Sequence, residues 1–192
     1  MDLTETSKDL KEQAEILLKK FDLKNFLSKY GDAYVVGSVA LDLMTWRDID
    51  IEVICNNTPT KSDAIEISRH IFDSEGFRKI SVIDYRDVEK DYKPKGLYIG
   101  TEYIDETKMS WKFDIWLLTL DSSNSKSKTE NYNKKLTSEN RQAILEIKSQ
   151  IHSNPKYRTE VFSVDIYDSV IDKNIKNFDE FKRHMSEKGI QI

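Results

Sequence analysis

The stretch AYVVGSVALDLMTWRDIDIEV, residues 33–53, carries acids at positions 48, 50 and 52, and nine residues separate the first of them from a Gly37-Ser38 pair. In an extended chain, side chains at i, i+2 and i+4 share a face, so Asp48, Asp50 and Glu52 point one way and Ile49, Ile51 and Val53 the other. Anions crowded together repel each other and lose hydration, so such a face raises the free energy of the fold unless cations or hydrogen bonds compensate it. The later run WKFDIWLL repeats the pattern, with Phe113, Ile115 and Leu117 on its apolar side and Lys112, Asp114 and Trp116 opposite. If the two strands are neighbours in matched register, Asp114 joins Asp48 and Asp50. Three converging carboxylates suit Mg²⁺, which takes oxygen ligands and leaves positions for water and phosphate oxygens. Two such ions about 4 Å apart can clamp the attacking and leaving oxygens of an in-line phosphoryl displacement.

Gly37-Ser38 supplies the complement. A strand turning sharply into a helix exposes backbone N–H groups at the positive end of the helix dipole. Glycine allows a phosphate to approach the backbone closely, and the serine hydroxyl adds a donor. Lys112 shares a face with Asp114 and is within reach either of a phosphate or of the acids it would balance.

The elements that must position these residues are legible from periodicity. Leu10, Ala14, Leu17, Leu18 and Phe21 recur at helical spacing behind a capping box of Thr6 and Asp9, and a shorter helix covers about 23–30. Gly31-Asp32 reads as a break before the strand at 33–36, and SVALDLMT as a short helix with Ser38 near its N-cap. DIDIEV alternates as a strand. TKSDAIEISRHIFDSEGF reads as a helix burying Ala64, Ile67, Ile71 and Phe72, and FRKISVIDY as a strand. GLYIGTEYI and MSWKFDIWLL, separated by DETK, form a hairpin. The polar stretch 122–135 lacks apolar periodicity and reads as a linker or loop, and helices follow at about 137–152, 161–172 and 179–188.

The predicted architecture is α+β: a mixed sheet with helices packed on one face in residues 1–121, a linker at 122–135, and a C-terminal helical segment at 136–192. A single cysteine, Cys55, excludes an internal disulfide framework, and three scattered histidines make no zinc site, so any metal is held by oxygen. The net charge of −4, with lysine and arginine interleaved among acids, argues against an affinity built on nucleic-acid phosphates. No apolar run approaches the roughly 20 residues that span a bilayer, and the first residues lack a signal-peptide layout, so a cytoplasmic location is expected.

An apolar strand ending in Val36-Gly37-Ser38, then Asp48-Ile49-Asp50-Ile51, then Phe113-Asp114-Ile115 inside an apolar strand, resembles the nucleotidyltransferase superfamily with a core like that of DNA polymerase β. RDIDIEV is most similar to the small antibiotic-modifying branch, which includes lincosamide and aminoglycoside nucleotidyltransferases. The resemblance covers about 33–118. It implies that Asp48 and Asp50 bind two Mg²⁺ ions, that Asp114 completes the second site and helps deprotonate the acceptor hydroxyl, and that Gly37 and Ser38 contact the phosphates of a nucleoside triphosphate. A nucleoside monophosphate would pass to a hydroxyl of a small-molecule acceptor, releasing pyrophosphate. Toxin-like members acting on RNA or protein, and degenerate members that only bind nucleotide, are the alternatives. The general base is Asp114 or another acid such as Glu102.

Several neighbours have plainer readings. Glu52 reads as an ordinary exposed strand residue, Trp116 as packing rather than a base-stacking surface, and Cys55 as inert. Asp165, Asp168 and Asp172 read as a solvated helix face, and Lys126, Lys128, Lys134 and Lys135 as charges on a flexible connector. The sequence does not fix the oligomeric state.

Overall fold

The computed structural model describes residues 2–88 and 93–192. Five strands, β1 (Gly31–Val36), β2 (Asp48–Cys55), β3 (Phe77–Asp84), β4 (Gly96–Ile104) and β5 (Ser110–Leu118), form one sheet in the order β1-β2-β5-β4-β3. β2 and β5 run parallel at its centre and every other pair is antiparallel, so the sheet is mixed. β4 and β5 are the expected hairpin.

Three helices of the first half, α1 (Leu3–Lys20), α2 (Leu23–Leu27) and α4 (Lys61–Phe72), contribute to the main core. It contains the apolar sides of the two central strands, Ile49, Ile51 and Val53 with Phe113, Ile115 and Leu117, all at most 2% exposed. Period-2 alternation therefore puts the acids of β2 and β5 on the opposite face. A second core gathers residues of α5 (Ser125–Lys135), α6 (Ser138–Ile151), α7 (Ser163–Lys173) and α8 (Phe178–Glu187), including Tyr132, Ile144, Ile151, Val170 and Phe181. The short helix α3 (Gly37–Leu41) and the turn after it lie between the two: Val39 and Met44 pack into the first core, Leu41 and Leu43 into the second.

Several local expectations change. The first helix begins at Leu3, capped by the Asp2 carboxylate, which accepts from the Thr4 N–H at 2.9 Å, so Thr6 lies inside the helix and not at its start. Gly31 and Asp32 belong to β1, opposite Cys55 and Ile54. A Cβ on Gly31 would lie 2.0 Å from the Ile54 carbonyl oxygen, so the glycine serves close strand approach and not a break. Phe72, expected in the core, is 49% exposed at the last turn of α4.

The largest revision concerns residues 122–135: most of this polar stretch is helical, as α5. Its sequence, SKSKTENYNKK, has little apolar periodicity, and only Tyr132 is buried. The helix is held by polar ties at both ends, which a search for hydrophobic spacing does not register. No helix among the described residues is long and apolar enough to cross a membrane.

Candidate active site

The parallel register of β2 and β5 sets Asp50 directly beside Asp114 and Asp48 beside Lys112. The three aspartates each offer an oxygen within 4.8 Å of the others, the arrangement expected from matched register. Burial pushes the Asp50 carboxyl well above the usual carboxylate range, with Asp48 and then Asp114 adding to the shift. Asp48 is raised chiefly by burial as well, against the opposing pull of Lys112.

Several partners hold these acids. The Tyr98 hydroxyl of β4 donates to Asp114 Oδ1 at 2.6 Å, and the Lys112 ammonium lies against Asp114 Oδ2. Trp46 Nε1 donates to Asp48 Oδ2 at 3.4 Å, and the Arg158 guanidinium stands 3.8 Å from the same oxygen. Asp48 Oδ1 is buried and has no hydrogen-bond partner among the described residues. An orphaned carboxylate oxygen is costly unless something else satisfies it, and a cation between the three aspartates would do so. The donor set, three carboxylates and no nitrogen or sulfur, fits a hard cation such as Mg²⁺.

Gly37 begins α3 at φ +65°, a backbone conformation that glycine tolerates and L side chains rarely adopt. A Cβ there would come within 2.8 Å of Asp50 Oδ2, so the glycine also lets the turn close onto the carboxylates. Its N–H donates to the Thr129 hydroxyl of α5 at 3.3 Å. Ser38 is buried in the first turn of α3. Gly37, Ser38, Asp48 and Asp50 all line a cleft of about 530 Å³, walled on the far side by α5 and the start of α7. Neither Lys112 nor Asp114 lines it.

Glu52 is not an exposed strand residue. It is 1% exposed, and its carboxylate accepts from Ser123 Oγ at 3.1 Å, Ser125 N at 3.3 Å and Lys126 N at 3.1 Å. It thus caps the positive end of α5 and ties that helix to the strand bearing Asp48 and Asp50. The acids of α7 also do more than face solvent. Asp168 accepts from the buried Tyr132 hydroxyl at 2.6 Å, Asp172 pairs with Lys135 at 2.8 Å, and Asp165 accepts from the Phe162 N–H at 2.8 Å. Two of the three therefore bind α7 to α5. Glu102 accepts from Ser110 Oγ at 2.8 Å and is not a member of the aspartate cluster. Trp116 lines the cleft, its ring 4.9 Å from that of Tyr98 and 5.5 Å from that of Tyr85.

Trp46, Tyr98, Thr129, Lys148 and Arg158 were not singled out from the sequence. Trp46 and Tyr98 had a signal: Trp46 continues the period-2 face of Asp48, and hairpin register sets Tyr98 across from Trp116, one pleat from Asp114. The others come from the C-terminal half, where helical spacing reports packing faces and not which strand they meet.

Lys148 on α6 is wholly buried. Its ammonium donates to the Leu43 carbonyl and sits 4.6 Å from the centre of the Trp46 ring. Burial lowers its pKa to about 7, against the opposing fields of Asp48 and Asp50. Between that value and the ordinary lysine value, the unfolded chain holds a proton that the folded chain lacks, so folding gains stability as pH rises through this window. Lys148→Met removes this gain. The stability difference between wild type and variant, from urea titrations, is expected to shift toward the wild type from pH 7 to pH 9 by up to about 1.4 kcal/mol per pH unit. Parallel pH profiles for the two proteins would refute it.

Solved structures share this architecture. A Cid1 RNA terminal uridylyl transferase superposes with a TM-score of 0.56 at 14% identity, covering 88% of this chain and 51% of that one. A Cid1 poly(U) polymerase bound to MgATP gives 0.59 at 15% identity, covering 84% and 49%. Terminal uridylyl transferase 4 from Trypanosoma brucei gives 0.52 at 10% identity, covering 80% and 51%. The fold is a nucleotidyltransferase fold. The chain spans about half the length of these neighbours. No protein-family model and no curated protein matches it by sequence. The nucleotidyltransferase core expected from the Gly-Ser and Asp-x-Asp spacing is thus present as a fold, while its assignment to the antibiotic-modifying branch has no support from these neighbours.

Proposed function

We propose that the protein is a Mg²⁺-dependent nucleotidyltransferase that moves a nucleoside monophosphate from a nucleoside triphosphate to a hydroxyl, releasing pyrophosphate. One observation carries this reading: three aspartates converge beside a glycine-led helix start on a nucleotidyltransferase fold. Asp48, Asp50 and Asp114 would hold the metal, two ions being expected, and bound Mg²⁺ would supply charge neutralisation at the phosphoryl oxygens. Gly37 and Ser38 bind the phosphates through the start of α3. Asp114, oriented by Tyr98 and Lys112, receives the proton of the acceptor hydroxyl.

The acceptor in this reading is a small molecule. The net charge of −4 and a cleft of about 530 Å³, within the range of small-ligand pockets, support it. A second reading, transfer to an RNA end, is favoured by the likeness to RNA terminal uridylyl transferases. Incubation with α-labelled triphosphates, Mg²⁺ and a cell extract, followed by separation of RNA, protein and small molecules, distinguishes them. Label confined to small molecules is the expected result. Label in RNA or protein replaces the acceptor assignment, and no Mg²⁺-dependent label anywhere overturns the activity.

A further inference from the structure

The two oxygens of Asp48 are held unequally. Oδ2 takes the indole N–H of Trp46 at 3.4 Å and faces the Arg158 guanidinium at 3.8 Å, while Oδ1 is buried with no hydrogen-bond partner among the described residues. A carboxylate fixed through one oxygen has the direction of the other fixed as well. Whatever holds Oδ2 therefore decides where Oδ1 points, and partners of this kind orient metal ligands in proteins generally.

Trp46 stands in the turn between α3 and β2, two residues before Asp48. A turn residue keeps one rotamer only where other side chains pack against it, and here a single short run of the C-terminal half supplies them. Lys148 of α6 and His152 at its C-cap are one helical turn apart and share a face. The Lys148 ammonium lies 4.6 Å from the indole centre, and the His152 ring stacks on the indole at 5.1 Å with 21° between the planes. The turn after α6 adds Tyr157, which meets the indole edge-on at 5.4 Å, and Arg158, whose guanidinium lies 4.7 Å from the same centre.

These four side chains are themselves tied down. Lys148 donates to the Leu43 carbonyl and, at 3.4 Å, to the Tyr167 hydroxyl. The Arg158 N–H donates to the Val161 carbonyl at 2.7 Å, and the Tyr157 hydroxyl lies 2.8 Å from Ser163 Oγ. Cations over an indole are drawn to the negative face of the ring, so Lys148 and Arg158 add attraction to the packing. With Lys148, His152 and Arg158 over the ring, Trp46 presents its N–H edge to the acids.

We infer that Trp46 is a positioning residue for the metal site: its indole N–H, held in place by Lys148, His152, Tyr157 and Arg158, orients Asp48 so that Oδ1 is left for Mg²⁺. This rests on the metal-dependent reading above and adds to it a route by which the C-terminal half sets metal affinity. The N–H acts through Asp48 and touches no reacting atom, so its removal costs metal binding and spares the fold.

The test is a titration of the full chain with Mg²⁺ alone, followed by nuclear magnetic resonance of the backbone amides and the tryptophan indole N–H groups. Wild type is expected to show saturable shifts at the Trp46 indole and at the amides of β2 and β5, all with one dissociation constant, and Asp50→Asn is expected to abolish them. Trp46→Phe keeps an aromatic ring beneath Lys148 and Arg158 and removes the N–H. It is expected to bind Mg²⁺ about tenfold more weakly, while its melting temperature in chelator stays within about 4 °C of wild type. A merely structural role would move the metal-free melting temperature and not the affinity. Wild-type affinity in Trp46→Phe, or a weakening that comes only with a melting temperature lowered beyond that window, overturns the positioning role and leaves the metal site standing. So does a wild-type Trp46 indole signal that Mg²⁺ leaves unmoved while the amides of β2 and β5 shift, a result that needs no variant. A wild-type protein without saturable, Asp50-dependent shifts overturns the metal reading and this inference together.

Discussion

Replacing Asp50 with asparagine is expected to lower kcat/KM for nucleotidyl transfer by about 10³-fold or more while making the metal-free protein more stable. Asp50 sits between Asp48 and Asp114, and its carboxyl is pushed well above the ordinary range, first by burial and then by those two neighbours. A raised carboxyl pKa in the folded state contributes stability below the unfolded pKa that is lost as pH rises. The metal-free wild type should therefore lose stability relative to Asp50→Asn as pH is raised from the ordinary carboxylate range toward neutrality. The asparagine keeps the shape and removes the charge, so the activity loss reports metal binding and not collapse. Thermal melts in chelator between pH 5 and 8, paired with labelled-triphosphate incorporation, check both halves. Undiminished transfer, or a variant that melts below wild type across that range, would contradict the assignment.

The second large effect concerns Glu52. Glu52→Ala strands the Ser123 hydroxyl and the N–H groups of Ser125 and Lys126, and removes the negative charge at the positive end of α5. Leaving buried donors without an acceptor costs about 1–3 kcal/mol per group, reduced where water can enter, so a total loss of about 3 kcal/mol is expected. Glu52→Gln keeps an acceptor at the same place and should recover part of it. Hydrogen exchange distinguishes a local from a global effect: amides of α5 are expected to lose protection before those of β2. Uniform loss of protection across the chain, or no change in α5, would show that Glu52 does not anchor this helix.

Glu52 also shows where the sequence stops being informative. Its face was legible, because alternation sets Asp48, Asp50 and Glu52 on one side of a strand whatever the rest of the chain does. Its role was not, because its partners are 71–74 residues away on a helix without an apolar stripe. Asp114 was found at almost the same separation from Asp50, since both stand in strands with clear alternation and a parallel pair in register aligns them. Lys148 and Arg158 escaped for the converse reason. Lys148 lies on a helix with an ordinary amphipathic pattern, and a buried lysine in such a pattern is indistinguishable from a solvated one until the helix is docked. Local rules thus reach the strands, the Gly-Ser turn and most helices. The far wall of the cleft depends on tertiary ties.

Leu41 and Leu43 point into the helical core, while Val39 and Met44, interleaved with them, point into the sheet core. The dozen residues joining Gly37 to Asp48 are therefore gripped from both sides, and the phosphate-binding turn is held to the carboxylates by the way the two halves of the chain mate. Cutting the chain after residue 121 would leave all three aspartates in the first fragment, yet strip Leu41 and Leu43 of their partners, at about 1.5–3 kcal/mol for each side chain. Such a fragment would own every residue of the acidic cluster and lack the clamp that aligns it with the turn.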